Sequence, residues 1–148
     1  MLLFFPHPAG GLGLRRSVVA WLSDRSPRWT LHIHQANVDL PVLMAYLLAS
    51  DGPDRVMRLN TVVRSAADVG PARTFLGHLV EMGRLPATTR TEVYRGELVD
   101  ILGEPPAADV HLFGLPHLVD LDKLNALHEA HGGASLFLLD SGHESLLA

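Results

Sequence analysis

Apolar residues fall along the chain in short blocks set off by glycine, proline and acidic residues, and the period of each block predicts its element. Leu2–Phe5 is an apolar run of strand length, followed by the loop His7-Pro8-Ala9-Gly10-Gly11-Leu12-Gly13. From Leu14 to Ser23 a helical period places Leu14, Val18, Trp21 and Leu22 on one side, and Ser26-Pro27 then turns the chain. Trp29–His34 alternates, Leu31 and Ile33 against His32 and His34, which predicts a strand. Asp39 stands as the N-cap of the next helix, with Pro41 in the tolerated first turn. That helix, running to Ala49, is apolar nearly all round and is expected to be buried on two sides.

The second half repeats the alternation. Val56–Val63 predicts a strand, and Asp68 is expected to cap a helix whose inward stripe is Val69, Ala72, Phe75, Leu76, Leu79 and Val80. Gly83 lies where a glycine ends a helix. Thr88–Tyr94, β-branched and polar, predicts an edge strand, and Glu97–Leu102 a short helix stopped by Gly103 and Pro105-Pro106. Asp109–Phe113 predicts a strand running into Gly114-Leu115-Pro116. Asp120 caps a last helix with Leu121, Leu124 and Leu127 inward; Gly132-Gly133 closes it, and Ser135–Leu139 is the final strand. Strands and helices in alternation imply a single α/β domain over residues 1–148. Its expected form is three layers, a mostly parallel sheet with helices on both faces and right-handed crossovers.

Composition sharpens this picture. The chain is 47% hydrophobic with only 19% charged residues. Strands covered on both faces account for part of that content, and a buried interface between copies is the expected source of the rest. A net charge of −4 without a basic stripe argues against nucleic acid as a partner. There is no cysteine, so disulfides, thiolate zinc sites and cysteine nucleophiles are excluded. The longest apolar run, Leu40 to Ala49, is well short of the roughly 20 residues of a spanning helix, so no direct insertion into a membrane is expected.

Three constellations suggest chemistry. A glycine turn between a strand and a helix exposes backbone N–H groups to a phosphate, which makes Gly10, Gly11 and Gly13 candidate anion or nucleotide contacts, with Arg15 and Arg16 as nearby cations. The dinucleotide fingerprint is incomplete, because Arg16 stands where a third glycine belongs, and Leu14 stands where a phosphate-loop lysine would follow. Gly114 follows a second predicted strand, and both glycine turns are expected at the carboxyl edge of the sheet, where open α/β sheets take ligands. The histidine pairs His32/His34 and His128/His131 each share a face, but no third metal ligand is placed by sequence. Asp140-Ser141-Gly142-His143-Glu144 holds serine-hydrolase residue types without the glycines of a nucleophile elbow, and reads as a C-terminal turn. No catalytic residues, metal site or obligatory cofactor is expected.

Several stretches, in order, resemble one family. Asp39-Leu40-Pro41-Val42-Leu43-Met44-Ala45-Tyr46-Leu47-Leu48 resembles the "G-L-x-L-L-x-x-Y-L-L" helix of the cytosolic C-terminal domains of cation–chloride cotransporters, which follows a strand corresponding to Trp29–His34. Arg55-Val56-Met57-Arg58-Leu59 resembles that family's "R-V-x-R" strand, and Ala108 to Pro116 its "A-D-x-V-x-x-x-L-P". Ala134 to Gly142 resembles its "P-x-L-L-V-R-G" ending, with Asp140 in place of the usual basic residue; His32 and His34 replace aromatics. The resemblance implies a universal-stress-protein-like fold and a cytosolic regulatory domain that forms homodimers. It also implies a membrane transport domain, in the same or another chain, that moves Na⁺, K⁺ and Cl⁻. Some members of the family hold a nucleotide. A freestanding nucleotide-binding protein of the universal-stress type is the alternative, disfavoured because Gly114-Leu115-Pro116-His117 lacks a second glycine.

Overall fold

The computed structural model describes residues 1–26, 28–30, 38–104, 107–115 and 118–139. Its strands are β1 (Leu2–Phe5), β2 (Ser17–Leu22), β3 (Val56–Val63), β4 (Arg90–Arg95), β5 (Val110–Gly114) and β6 (Ala134–Leu138). They form one sheet in the order β1-β6-β5-β2-β3-β4, parallel throughout except that β1 runs antiparallel to β6. The helices are α1 (Asp39–Ser50), α2 (Val69–Met82), the short α3 (Leu98–Ile101) and α4 (Leu121–Glu129). The architecture is the expected three-layer α/β arrangement.

One expectation is overturned at the centre of the sheet. Residues 17 to 22 are not helical but form β2, hydrogen-bonded between β3 and β5. Val18, Ala20 and Leu22 point to the α1/α2 side and Val19 and Trp21 to the α3/α4 side, so the strand is buried on both faces. Such a strand has no polar face, and its apolar run also satisfies a helical template. The adjacent β-branched Val18 and Val19 favour the strand. Trp29 and Thr30 are not in a strand; Trp29 instead packs edge-on against Phe75 at 5.7 Å. The rest of the strand expected over Trp29–His34 lies outside the described residues, as do His32 and His34.

Two helices cover each face. α1 and α2 enclose a cluster that includes Leu59, Phe75, Leu76, Leu79 and Leu112, all at most 1% exposed. α3 and α4 cover Val19, Trp21, Phe113 and Phe137. α2 carries the expected stripe, with Ala72, Phe75, Leu76 and Leu79 buried.

Several local readings are corrected. Val38, not Asp39, is the N-cap of α1; Asp39 lies in the first turn and is itself buried. α1 is buried on one side only, leaving Tyr46 and Leu47 exposed. Asp68 precedes α2 without a side-chain cap; Ser65 does that work for the preceding turn, accepting from Ala67 N at 3.3 Å. At the other end of α2, Gly83 is the C-cap residue as expected, but with an ordinary φ of −77°; it is Arg84 that takes the left-handed conformation, at φ +53°, while Leu85 N returns to Val80 O at 3.0 Å. Asp120 caps α4 as expected, accepting from Asp122 N and Lys123 N, but Leu121 points outward.

Candidate functional site

The strand order reverses once. From β2 the chain moves outward to β3 and β4 with α1 and α2 on one face, then returns past β2 to β5 and β6 with α3 and α4 on the other. The crevice outside the carboxyl ends of the strands at such a reversal is where open α/β sheets take ligands. A cleft of about 600 Å³ lies there. Its floor is Trp21, Phe113 and Phe137, and Gly114 at the end of β5 opens onto it. Its polar groups are Asp24, Arg64, Glu97, Asp120 and Lys123. Arg64 and Glu97 form an exposed ion pair at its rim at 3.5 Å, and Asp24 is turned to the backbone N–H of Ser26 at 2.8 Å. The cleft is therefore an aromatic floor with a rim of both charges.

The other glycine turn is elsewhere. Because β1 runs antiparallel, the loop after Phe5 lies at the amino edge of the parallel strands, opposite Gly114. Gly10, Gly11 and Gly13 have φ of +96°, +55° and +65°. The loop closes on itself: His7 N donates to Gly11 O and Gly10 N to His7 O, both at 2.8 Å, and Gly13 N to Gly10 O at 3.1 Å. A β-carbon on Gly13 would lie 2.8 Å from the His7 ring. No helix follows the loop, so the helix-terminal charge expected there is absent. Arg15 is paired with Asp51 at 3.0 Å, and the backbone N–H of Arg16 is bound by Asp109 at 2.7 Å.

The structure brings together residues that the sequence had left apart. His111 on β5 and Ser135 on β6 sit side by side in the register and face α4. His131, just after α4, stacks on His111 with ring centroids 3.7 Å apart. Ser135 Oγ lies 2.8 Å from His131 Nε2 and 2.9 Å from His128 Nδ1. Trp21 Nε1 donates to His111 Nδ1 at 2.9 Å, and Gly133 N donates to His131 Nδ1 at 3.1 Å. Burial, and then His131, push His111 down to about 3. Burial and then His128 push His131 down to about 4, and burial lowers His128. His111 and His131 are therefore held neutral at pH 7. Among the described residues no group of three or more potential ligands is placed to hold a metal. The sequence signal for this cluster was a polar residue inside each apolar strand, Val-His-Leu-Phe and Ala-Ser-Leu-Phe, at matching positions. The pentapeptide around Ser141 lies outside the described residues.

Comparison with known proteins accounts for the sequence words. The family described as "Prokaryotic cation-chloride cotransporter, C-terminal domain, 2nd" matches residues 13–147. The crystal structure of the cytoplasmic domain of a prokaryotic cation chloride cotransporter superposes with a TM-score of 0.87 at 33% identity, over 99% of this chain and 54% of that one. The chain thus spans about half the length of that structure. No curated protein matches. No helix among the described residues is long and apolar enough to cross a membrane.

Proposed function

Since the chain belongs to the C-terminal domain family of prokaryotic cation–chloride cotransporters, we propose that it is a non-catalytic regulatory and dimerisation unit of such a transporter. It works in the cytoplasm, at the inner face of the membrane, coupled to a transport domain that moves Na⁺ or K⁺ with Cl⁻. The observation that carries this reading is the likeness over 99% of the chain to a transporter's cytoplasmic domain. Exposed leucines support the expectation of a protein partner: Leu118, on the wall of the cleft, is 90% exposed, and Leu121, at the start of α4, is 62% exposed. Monomers seldom leave such groups together unless a partner covers them.

Sedimentation equilibrium of the 16.1 kDa chain at micromolar concentration tests the dimer. A species of twice that mass is the expected result, and a monomer alone refutes it. The absence of catalysis is tested by esterase, phosphatase and ATPase assays, with turnover expected at the level of a Ser141→Ala control.

A second reading concerns ligand binding. The carboxyl-edge cleft, with Gly114 and the Lys123 cation at its wall, supports weak binding of a small anion such as a nucleotide. Titration calorimetry with ATP, ADP and AMP against wild type, Lys123→Ala and Gly11→Val/Gly13→Val separates the two edges of the sheet. Binding lost only in Lys123→Ala places the ligand in the cleft. Loss only in the glycine variant places it at the amino-edge loop, with Gly10, Gly11 and Gly13 as its contacts.

A further inference from the structure

The histidine cluster on the α3/α4 face has a fixed hydrogen-bond direction. An indole N–H can only donate, so His111 Nδ1 accepts from Trp21 and the neutral ring carries its proton on Nε2. A backbone N–H can only donate, so His131 Nδ1 accepts from Gly133 and its proton is likewise on Nε2. That N–H donates to Ser135 Oγ, whose hydroxyl hydrogen is then directed at His128 Nδ1. Each of the two stacked rings has one basic nitrogen, and in each it already faces a donor that cannot turn into an acceptor. A second proton on either ring therefore opposes an N–H directly and breaks that bond. It also places a cation 3.7 Å from the neighbouring ring centroid.

We propose that the stacked His111 and His131 rings form a proton-operated latch on the corner between α4 and β6. Charging either ring expels the N–H that holds it, and the corner comes away from the sheet. The latch stands independently of the transporter reading. It reaches the cleft through α4, whose first turns carry Asp120, Lys123, Leu124 and Leu127 on the cleft wall.

The surroundings of the pair are named from each packed element. Arg58 on β3, Tyr94 on β4 and Glu104 after α3 line a water-sized cavity on the far side of His111. The Ala108 carbonyl before β5 favours a proton on His111. α4 contributes His128 and Glu129; Glu129 favours charge on His128. β6 contributes Ser135, and the Phe5 ring on β1 lies tilted against His128 with centroids 5.1 Å apart. Burial is the largest influence on His111 and keeps the ring neutral, and the neighbouring His131 and His128 act in the same direction.

Backbone amide hydrogen exchange on the 148-residue chain at pH 7.5 and 5.5, expressed as protection factors, reads the latch. In the opened corner both rings regain their ordinary affinity, so acidification favours opening by about tenfold through His111 and by a smaller factor through the more exposed His131. The expected result is that loss in residues 124–135, starting from protection lower than that of α1 at both pH values, because the corner opens without the whole domain unfolding. His131→Phe keeps a ring in the stack without a basic nitrogen and should leave about a tenfold loss. Trp21→Phe frees His111 Nδ1, so in nitrogen-detected NMR the His111 titration midpoint should rise. Where His131→Phe fails to fold, the NMR tautomer assignment in wild type decides. Protection in residues 124–135 equal to that of α1 at both pH values, rings titrating near 6.5 with the corner intact, or a neutral His111 protonated on Nδ1 would each overturn the latch.

Discussion

On the α1/α2 face of the sheet the buried side chains among the described residues are mostly aliphatic, with Met57, Phe75 and, in the first turn of α1, Asp39 as exceptions, and the buried hydroxyl of Thr61 donates locally to Leu22 O at 2.7 Å. On the α3/α4 face the same sheet presents Trp21, His111, Phe113, Ser135 and Phe137, joined by rings and directional hydrogen bonds. The first face is held by apolar area, which is indifferent to pH and forgiving of small shifts. The second depends on which nitrogens carry protons and on the close approach of β6 to β5. The covering helices differ to match: α1 and α2 are 12 and 14 residues long, α3 and α4 only 4 and 9. The α1/α2 face holds the larger apolar cluster, and the proposed latch gives the α3/α4 face a response to pH.

The largest test of that contrast is on the aliphatic side. Phe75 is 1% exposed, and Phe75→Ala should cost about 3–5 kcal/mol in urea denaturation at any pH between 5.5 and 7.5. A cost that changed with pH would break the comparison. Next is Gly133, where an added β-carbon would lie 2.6 Å from the carbonyl oxygens of Ala108 and Asp109. Gly133→Ala should cost about 1–3 kcal/mol, and because it displaces the N–H donor to His131 it should also raise the midpoint of that ring by NMR.

The third test is pH itself. The folded values of His111 and His131 lie below the ordinary 6.5, so the unfolded chain binds protons more readily. Their contribution is fully present above pH 6.5 and is lost as pH falls towards about 4 and then about 3. Between pH 7.5 and 5.5 wild type should lose about 1.4 kcal/mol through His111, with a smaller addition from the more exposed His131. His111→Phe, if it folds, should flatten that slope. The smallest effect is at the start of α4. Asp120→Ala removes the acceptor for two backbone N–H groups and should cost about 1 kcal/mol without altering the pH slope.

Much of the fold is legible in the sequence because helices with one buried stripe and strands with one polar face announce their period. α2 and β4 are the clearest cases, and Asp120 is placed by its chemistry alone. The cleft and the histidine cluster were harder. Gly114 was recognisable as a turn after a strand, but the second glycine turn could not be assigned an edge without knowing that β1 runs antiparallel. Ser135 looked like an ordinary strand residue until β6 paired with β5.

By itself the sequence determined the alternation of elements, the α/β class, the absence of cysteine chemistry and the order of apolar words shared with cotransporter domains. Only the tertiary structure decided that residues 17 to 22 are the central strand. A segment buried on both faces carries no alternation, and its identity is set by the neighbours that bury it. Only the register brought Trp21 to His111, 90 residues away along the chain, and His111 beside Ser135. Those contacts arise from pairing between strands, which local periodicity does not encode, and the proton sensitivity of the α3/α4 face follows from them.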